Sequence, residues 1–192
     1  RFRAADVKAV FCTADGDVTH YADEALAELG CALPGALIAD DVRRVFRAGE
    51  DGARHLLSLG SFATFAYVNH AARTFWSSER GRGFAETCAG RGHAAAVFAA
   101  ESECDFRRLP EWLSSLPKPA AVMAAFDERA VEVLGACSEG KIDVPHQVSV
   151  IGVDNDELLC DFSNPPLSSV LPDHIREGVL AATELNRMLR AK

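Results

Sequence analysis

The chain has 192 residues, 48 % of them hydrophobic and 25 % charged, and carries a formal net charge of −8. Those values describe an ordinary globular protein, long enough for one large domain or two small ones. The spread acidic balance argues against the chain gripping nucleic acid by itself, because phosphate neutralisation needs a basic surface, and no apolar run approaches the ~18 residues that cross a bilayer.

In chain order, apolar strand-like runs fall at 7–13 (VKAVFCT), 35–39 (GALIA), 62–68 (FATFAYV), 94–98 (AAAVF), 120–126 (AAVMAAF) and 148–153 (VSVIGV). Stretches with helical spacing lie between them. Val18, Tyr21, Ala25 and Leu29 share one face ahead of Gly30, and Ala130, Val133, Leu134 and Cys137 share another ahead of Gly140. A closing helix carries Ile175, Val179, Ala182, Leu185 and Leu189. Strands alternating with helices imply βαβ units, and nearly continuous apolar strands imply a parallel sheet buried on both faces. The Pro-rich stretches at 116–120 and 163–170 are turns.

Six cysteines stand at 12, 31, 88, 104, 137 and 160, without C-x-x-C or zinc-like Cys/His spacing. The expectation is free, reduced thiols in the cytoplasm, with no metal and no cofactor. The opening RFRAADVKAV has no apolar core of the kind a secretion signal needs.

In open parallel sheets, ligands bind beyond the carboxyl ends of the strands. After the strand at 62–68 come Asn69 and His70, then Trp76, Ser77, Ser78 and Arg80. After 120–126 comes Asp127, and after 148–153 come Asp154, Asn155 and Asp156. Such a set suits a neutral, hydroxyl-rich ligand: arginine offers fixed planar donors, carboxylates accept from hydroxyls, and a Trp face covers the C–H face of a sugar ring. Each residue also has a local explanation. Asp127 is placed to cap a helix, Asp154 and Asn155 to make an Asx turn, and Arg80 to lie solvated on a helix. What favours a site is their shared edge. The glycines of RGRG form neither a dinucleotide fingerprint nor a Walker loop.

The segment VPHQVSVIGVDNDELLCDFSNPPLSSV, with the helix after it, resembles the closing part of the effector-binding domain of the LacI/GalR family. Within that family it is most similar to the xylose-operon regulators. ARHLLSLG, SSERGRGF and VMAAFDERAVEVLGAC extend the resemblance from about residue 7 onwards.

The resemblance implies a type I periplasmic-binding-protein-like fold, two doubly wound α/β subdomains around a cleft. The first, apparently truncated, takes 1–68 plus 171–192; the second takes 69–170, with LSSV (167–170) as a hinge strand. It implies ligand contacts from Arg80, Asp154 and Asp127, with Trp76, Phe126 and Asn69 beside them. Phe126 stands where the family commonly has Asn, adding an apolar wall in place of a polar partner. Arg43 and Arg44 depart from the family as well, and favour an acidic or phosphorylated sugar.

The expected function is a bacterial regulator's sensor domain. It binds a monosaccharide, pairs as a homodimer, and reaches DNA only through a helix-turn-helix module outside this chain. A solute-binding protein of a sugar uptake system is the alternative. An enzyme is not expected. There is no G-x-S-x-G elbow, and the candidate nucleophiles reduce to Cys160 beside Asp161, or Ser77 and Ser78 with His70.

Overall fold

The computed structural model describes residues 35–71 and 74–173, together with Ile175, Val179 and Thr183. Its elements are α1 (Gly35–Leu59), β1 (Thr64–Val68), α2 (Phe75–Ala89), β2 (Ala95–Phe98), a 3-10 helix (Glu103–Arg108), α3 (Leu109–Ser115), β3 (Ala120–Ala124), α4 (Asp127–Glu139), β4 (Val148–Val153), α5 (Glu157–Phe162) and β5 (Ser168–Val170). The five strands form one parallel sheet in the order β2-β1-β3-β4-β5.

Alternate strand residues feed two cores, as the period-2 geometry of a strand requires. Ala66, Val68, Val122, Ala124 and Val148 face Leu109 and Leu113 of α3 and Val133 and Cys137 of α4. Phe65, Tyr67, Ala121, Met123 and Val153 face Ala53 and Leu56 of α1 and Phe84 and Cys88 of α2. Every residue of β3 is buried, which explains why the central strand is a nearly unbroken apolar run. On the second face, α1 and α2 cross with their backbones almost touching. A Cβ on Gly83 would lie 2.1 Å from the Phe46 carbonyl oxygen, and one on Gly49 would lie 1.9 Å from that of Arg80. The second glycine of RGRG is therefore a packing residue.

Two expectations change. The run at 35–39 is the start of α1 rather than a strand, because five apolar residues carry no period of their own and here they continue into a helical pattern ending at Leu59. Residues 44–68 belong with the second unit: β1 is hydrogen-bonded between β2 and β3 inside the sheet, and residues 44–172 form one compact unit. The segment 168–170 is the edge strand of this sheet, paired with β4. Ile175 and Val179 are helical but exposed. The strand expected at 7–13 and the helix before Gly30 lie outside the described residues, as do Ala182, Leu185 and Leu189.

Candidate functional site

β1 has β2 on one side and β3 on the other, so successive connections leave β1 in opposite directions. The carboxyl ends of β1 and β3 therefore flank the switch point of the sheet, the place where open parallel sheets bind their ligands. Phe126 and Asp127 follow β3, Asn69 and His70 follow β1, and α2 returns across this edge carrying Trp76 and Arg80.

Arg80 is the central group. Its Nη1 donates to the Ala125 carbonyl at 2.6 Å, and its Nη2 donates to Asp154 Oδ1 at 2.8 Å, with Nη1 reaching Asp154 Oδ2 at 3.5 Å. The arginine side chain is 12 % exposed and that of Asp154 43 % exposed, so the carboxylate forms the open side of the pair. A partly exposed pair adds little to stability; what the planar fork supplies is orientation. The guanidinium also lies 5.0 Å from the Trp76 ring centre. Trp76 meets Phe126 edge-to-face at 5.7 Å, and His70 joins them at 5.3 Å from Trp76 and 5.6 Å from Phe126. The half-buried aromatic cluster and the ion pair thus stand side by side on one edge.

The backbone under Asp154 is unusual. Asp154 and Asn155 have φ of +103° and +56°, conformations that cost a non-glycine residue roughly 1–3 kcal/mol and persist only where the surroundings impose them. Here β5 imposes them: Asp154 N–H donates to the Val170 carbonyl at 3.0 Å, and Asn155 N–H to Ser169 Oγ at 3.0 Å. The capping role falls one residue later, where Asp156 Oδ1 accepts from the amides of Leu158 and Leu159.

Asp127 and Asn69 are turned inward. Asp127 is 1 % exposed; its Oδ1 accepts from Ser169 Oγ at 2.6 Å and its Oδ2 from the Asp156 amide at 2.7 Å. Burial pushes its carboxyl up from the ordinary range, partly opposed by those two hydrogen bonds. Asn69 makes a reciprocal pair with the Ala100 backbone, accepting from its N–H at 2.9 Å and donating to its carbonyl at 3.0 Å. Both residues are buried and hold strand exits together. Arg43 and Arg44 lie on α1, the first exposed and the second half-buried.

The candidate nucleophiles are likewise occupied. Ser77 Oγ accepts from the His70 backbone amide at 2.9 Å, and Ser78 Oγ donates to the Thr74 carbonyl at 3.0 Å. Cys160 is buried, with its thiol held up by burial and by the neighbouring carboxylates. Among the described residues no group of three or more His, Cys, Asp or Glu side chains is placed to hold a metal, and no helix is long and apolar enough to cross a membrane.

Two contributors escape a reading by sequence. Ser169 links Asp127 to Asn155 from the edge strand, and nothing in LSSV separates it from Ser168. Arg129, in the first turn of α4, is 2 % exposed, although an arginine beside Glu128 and three residues from Glu132 reads as a solvated helix residue.

The periplasmic binding protein-like domain family matches residues 53–192. The xylose operon regulatory protein of Escherichia coli (strain K12) is 34 % identical over 120 residues, 59 % of this chain and 31 % of that protein; the chain thus spans about a third of the length of this relative. Among solved structures, the xylose-binding transcription activator xylR superposes with a TM-score of 0.67 at 29 % identity, covering 77 % of this chain and 41 % of that one. A LacI-family transcriptional regulator from Rhizobium etli superposes with a TM-score of 0.63 at 19 % identity, over 77 % and 56 % of the two chains, a likeness of fold. The chain belongs to the periplasmic binding protein-like domain family, and resembles the effector-binding domains of LacI-family regulators, xylose operon regulators among them.

Proposed function

We propose that this chain is the sensor part of a sugar-responsive transcription regulator, and that a monosaccharide sits at the carboxyl edge of the sheet against Arg80 and Asp154. The observation that carries the reading is the Arg80–Asp154 fork beside the Trp76–Phe126–His70 cluster. Asp154 presents acceptor oxygens to ligand hydroxyls, Arg80 orients it and supplies donors, and the aromatic rings cover the ring's C–H face. Asp127 and Asn69 serve as positioning groups beneath. Because the relatives' names tie them to xylose, a neutral pentose is the first candidate.

In the complete protein the sugar shifts the population toward the conformation it binds more tightly, by its differential affinity. Coupling of ~1–3 kcal/mol suffices to switch a homodimer. DNA contact is made by a module outside this chain.

Calorimetric titration with D-xylose, D-ribose, D-glucose and D-glucuronate tests the reading. A neutral pentose should bind, and Arg80→Ala should weaken it roughly tenfold or more, the size of a lost charge-assisted hydrogen bond. Binding of no sugar, or equal binding by Arg80→Ala, would overturn it.

A further inference from the structure

The described unit buries one full positive charge almost completely, and it lies outside the Arg80–Asp154 pair. Arg129 is 2 % exposed. Its Nη2 donates to Glu103 Oε1 at 3.0 Å, and its Nη1 pairs with Glu132. Both acids are well exposed, with side chains 66 % and 50 % accessible. The two carboxylates fix the ends of the guanidinium while its central carbon lies over two rings. Its central carbon is 3.4 Å from the centre of the Phe106 ring and 5.6 Å from that of Phe126. Its Nε has no hydrogen-bond partner. Leaving a buried donor unpaired is costly, whereas planar contact with aromatic faces is what arginine supplies and lysine does not.

Phe106 belongs to the 3-10 helix that follows β2, and Phe126 is the residue before α4, in contact with Trp76 and His70. The contacts therefore run from Glu103 and Phe106 through Arg129 to Phe126, and on to Trp76. They tie the exits of β2, β3 and β1 into one support, whose last ring lies beside Arg80.

We infer that Arg129 is a positioning residue for that site: wedged between Phe106 and Phe126, it sets the angle of Phe126 against Trp76 and His70 and so fits the wall to a ligand with an apolar ring face, a pyranose or furanose. The inference rests on the sugar-site reading for its ligand, and on the packing alone for the placement of Phe126.

The chain has two tryptophans, and Trp112 lies apart from the site, against Phe98. In a Trp112→Phe background, emission therefore reports Trp76. Arg129→Met should shift that emission to the red and raise its quenching by acrylamide, as Phe126→Ala does, while the protein stays folded. Arg129→Lys, which keeps the charge and loses the plane, should not restore it. For D-xylose, Arg129→Met and Phe126→Ala should each weaken binding about three- to tenfold, the range of one aromatic contact. In the Phe126→Ala background, Arg129→Met should add no further loss.

A lowered unfolding midpoint with unchanged Trp76 emission, full rescue by lysine, or additive losses would each overturn the inference. If Arg129→Met does not fold, Phe106→Leu removes the lower ring with the charge retained and should give the same red shift; no shift would overturn it. Failure of D-xylose to bind the parent chain contradicts the pentose assignment only, because the emission still decides the role of Arg129.

Discussion

The exits of β3 and β4 present the same residue type on the same edge, and the fold uses it in opposite ways. At the β3 exit Asp127 is buried, with both oxygens taken by Ser169 and the Asp156 amide. At the β4 exit Asp154 stands exposed on a backbone with positive φ and pairs with Arg80. One carboxylate joins α4, β4's loop and β5 into a frame, and the other is held out by that frame. Position at a strand end decides which edge a side chain reaches; the partners it meets there decide whether it is buried, as Asp127 is by Ser169 and the Asp156 amide, or left open, as Asp154 is.

The largest effect that sharpens this contrast belongs to a glycine. A Cβ at Gly152 would lie 2.1 Å from Asp127 Oδ1 and 3.2 Å from Asp127 Cα. Gly152→Ala should therefore force the buried carboxylate out of place and lower stability by about 2–3 kcal/mol, read by urea unfolding. A loss under about 0.5 kcal/mol, the scale of an ordinary surface change, would show that the β3 exit is not the tight frame described. Asp127→Ala, which removes the acceptor of the Ser169 hydroxyl and of the Asp156 amide, should cost about 2 kcal/mol in the same assay.

Asp154→Gly should move stability the other way. Glycine accepts φ of +103° without penalty, so relief of strain should exceed the loss of a half-exposed ion pair, for a net gain of about 1 kcal/mol, together with loss of sugar binding. Destabilisation on this substitution would mean that the pair, rather than the β5 hydrogen bonds, holds the turn.

The smallest effect is in pH. Burial raises the Asp127 carboxyl in the folded state above its unfolded value. The proton is then bound more tightly by the folded chain. The stabilisation it brings is complete below the unfolded value near 3.8 and is lost as pH rises through the raised folded value. Relative to Asp127→Asn, the parent should gain stability as pH is lowered from 7 toward 4. A relative loss over that range would mean that the two hydrogen bonds outweigh burial.

Much of the sheet was legible in the sequence, because its strands are buried on both faces. The apolar run VSVIGV coincides with β4, and AAVMAAF contains β3. The helix ending at Gly140 keeps its buried stripe of Ala130, Val133, Leu134 and Cys137. The run at 35–39 misled, since five apolar residues serve a helix as readily as a strand. The boundary expected at residue 68 failed because a central strand looks the same whichever sheet it enters. Of the strand-end residues, Arg80, Asp154 and Trp76 come together, joined by Phe126, whereas Asp127 and Asn69 turn inward. That choice is set by partners far along the chain, Ser169 and the Ala100 backbone, which no local pattern announces. Arg129 was hidden for the same reason: its burial depends on Phe106, 23 residues earlier.

The central claim is that Asp154, and not Asp127, faces the sugar. Titrating D-xylose into the parent chain, Asp154→Asn and Asp127→Asn, with Trp76 emission followed in the Trp112→Phe background, tests it most directly. Asp154→Asn should weaken binding roughly tenfold or more, the scale of a charge-assisted hydrogen bond, while Asp127→Asn should bind far closer to the parent and differ mainly in stability. Equal weakening by the two substitutions, or a greater loss with Asp127→Asn, would contradict the account.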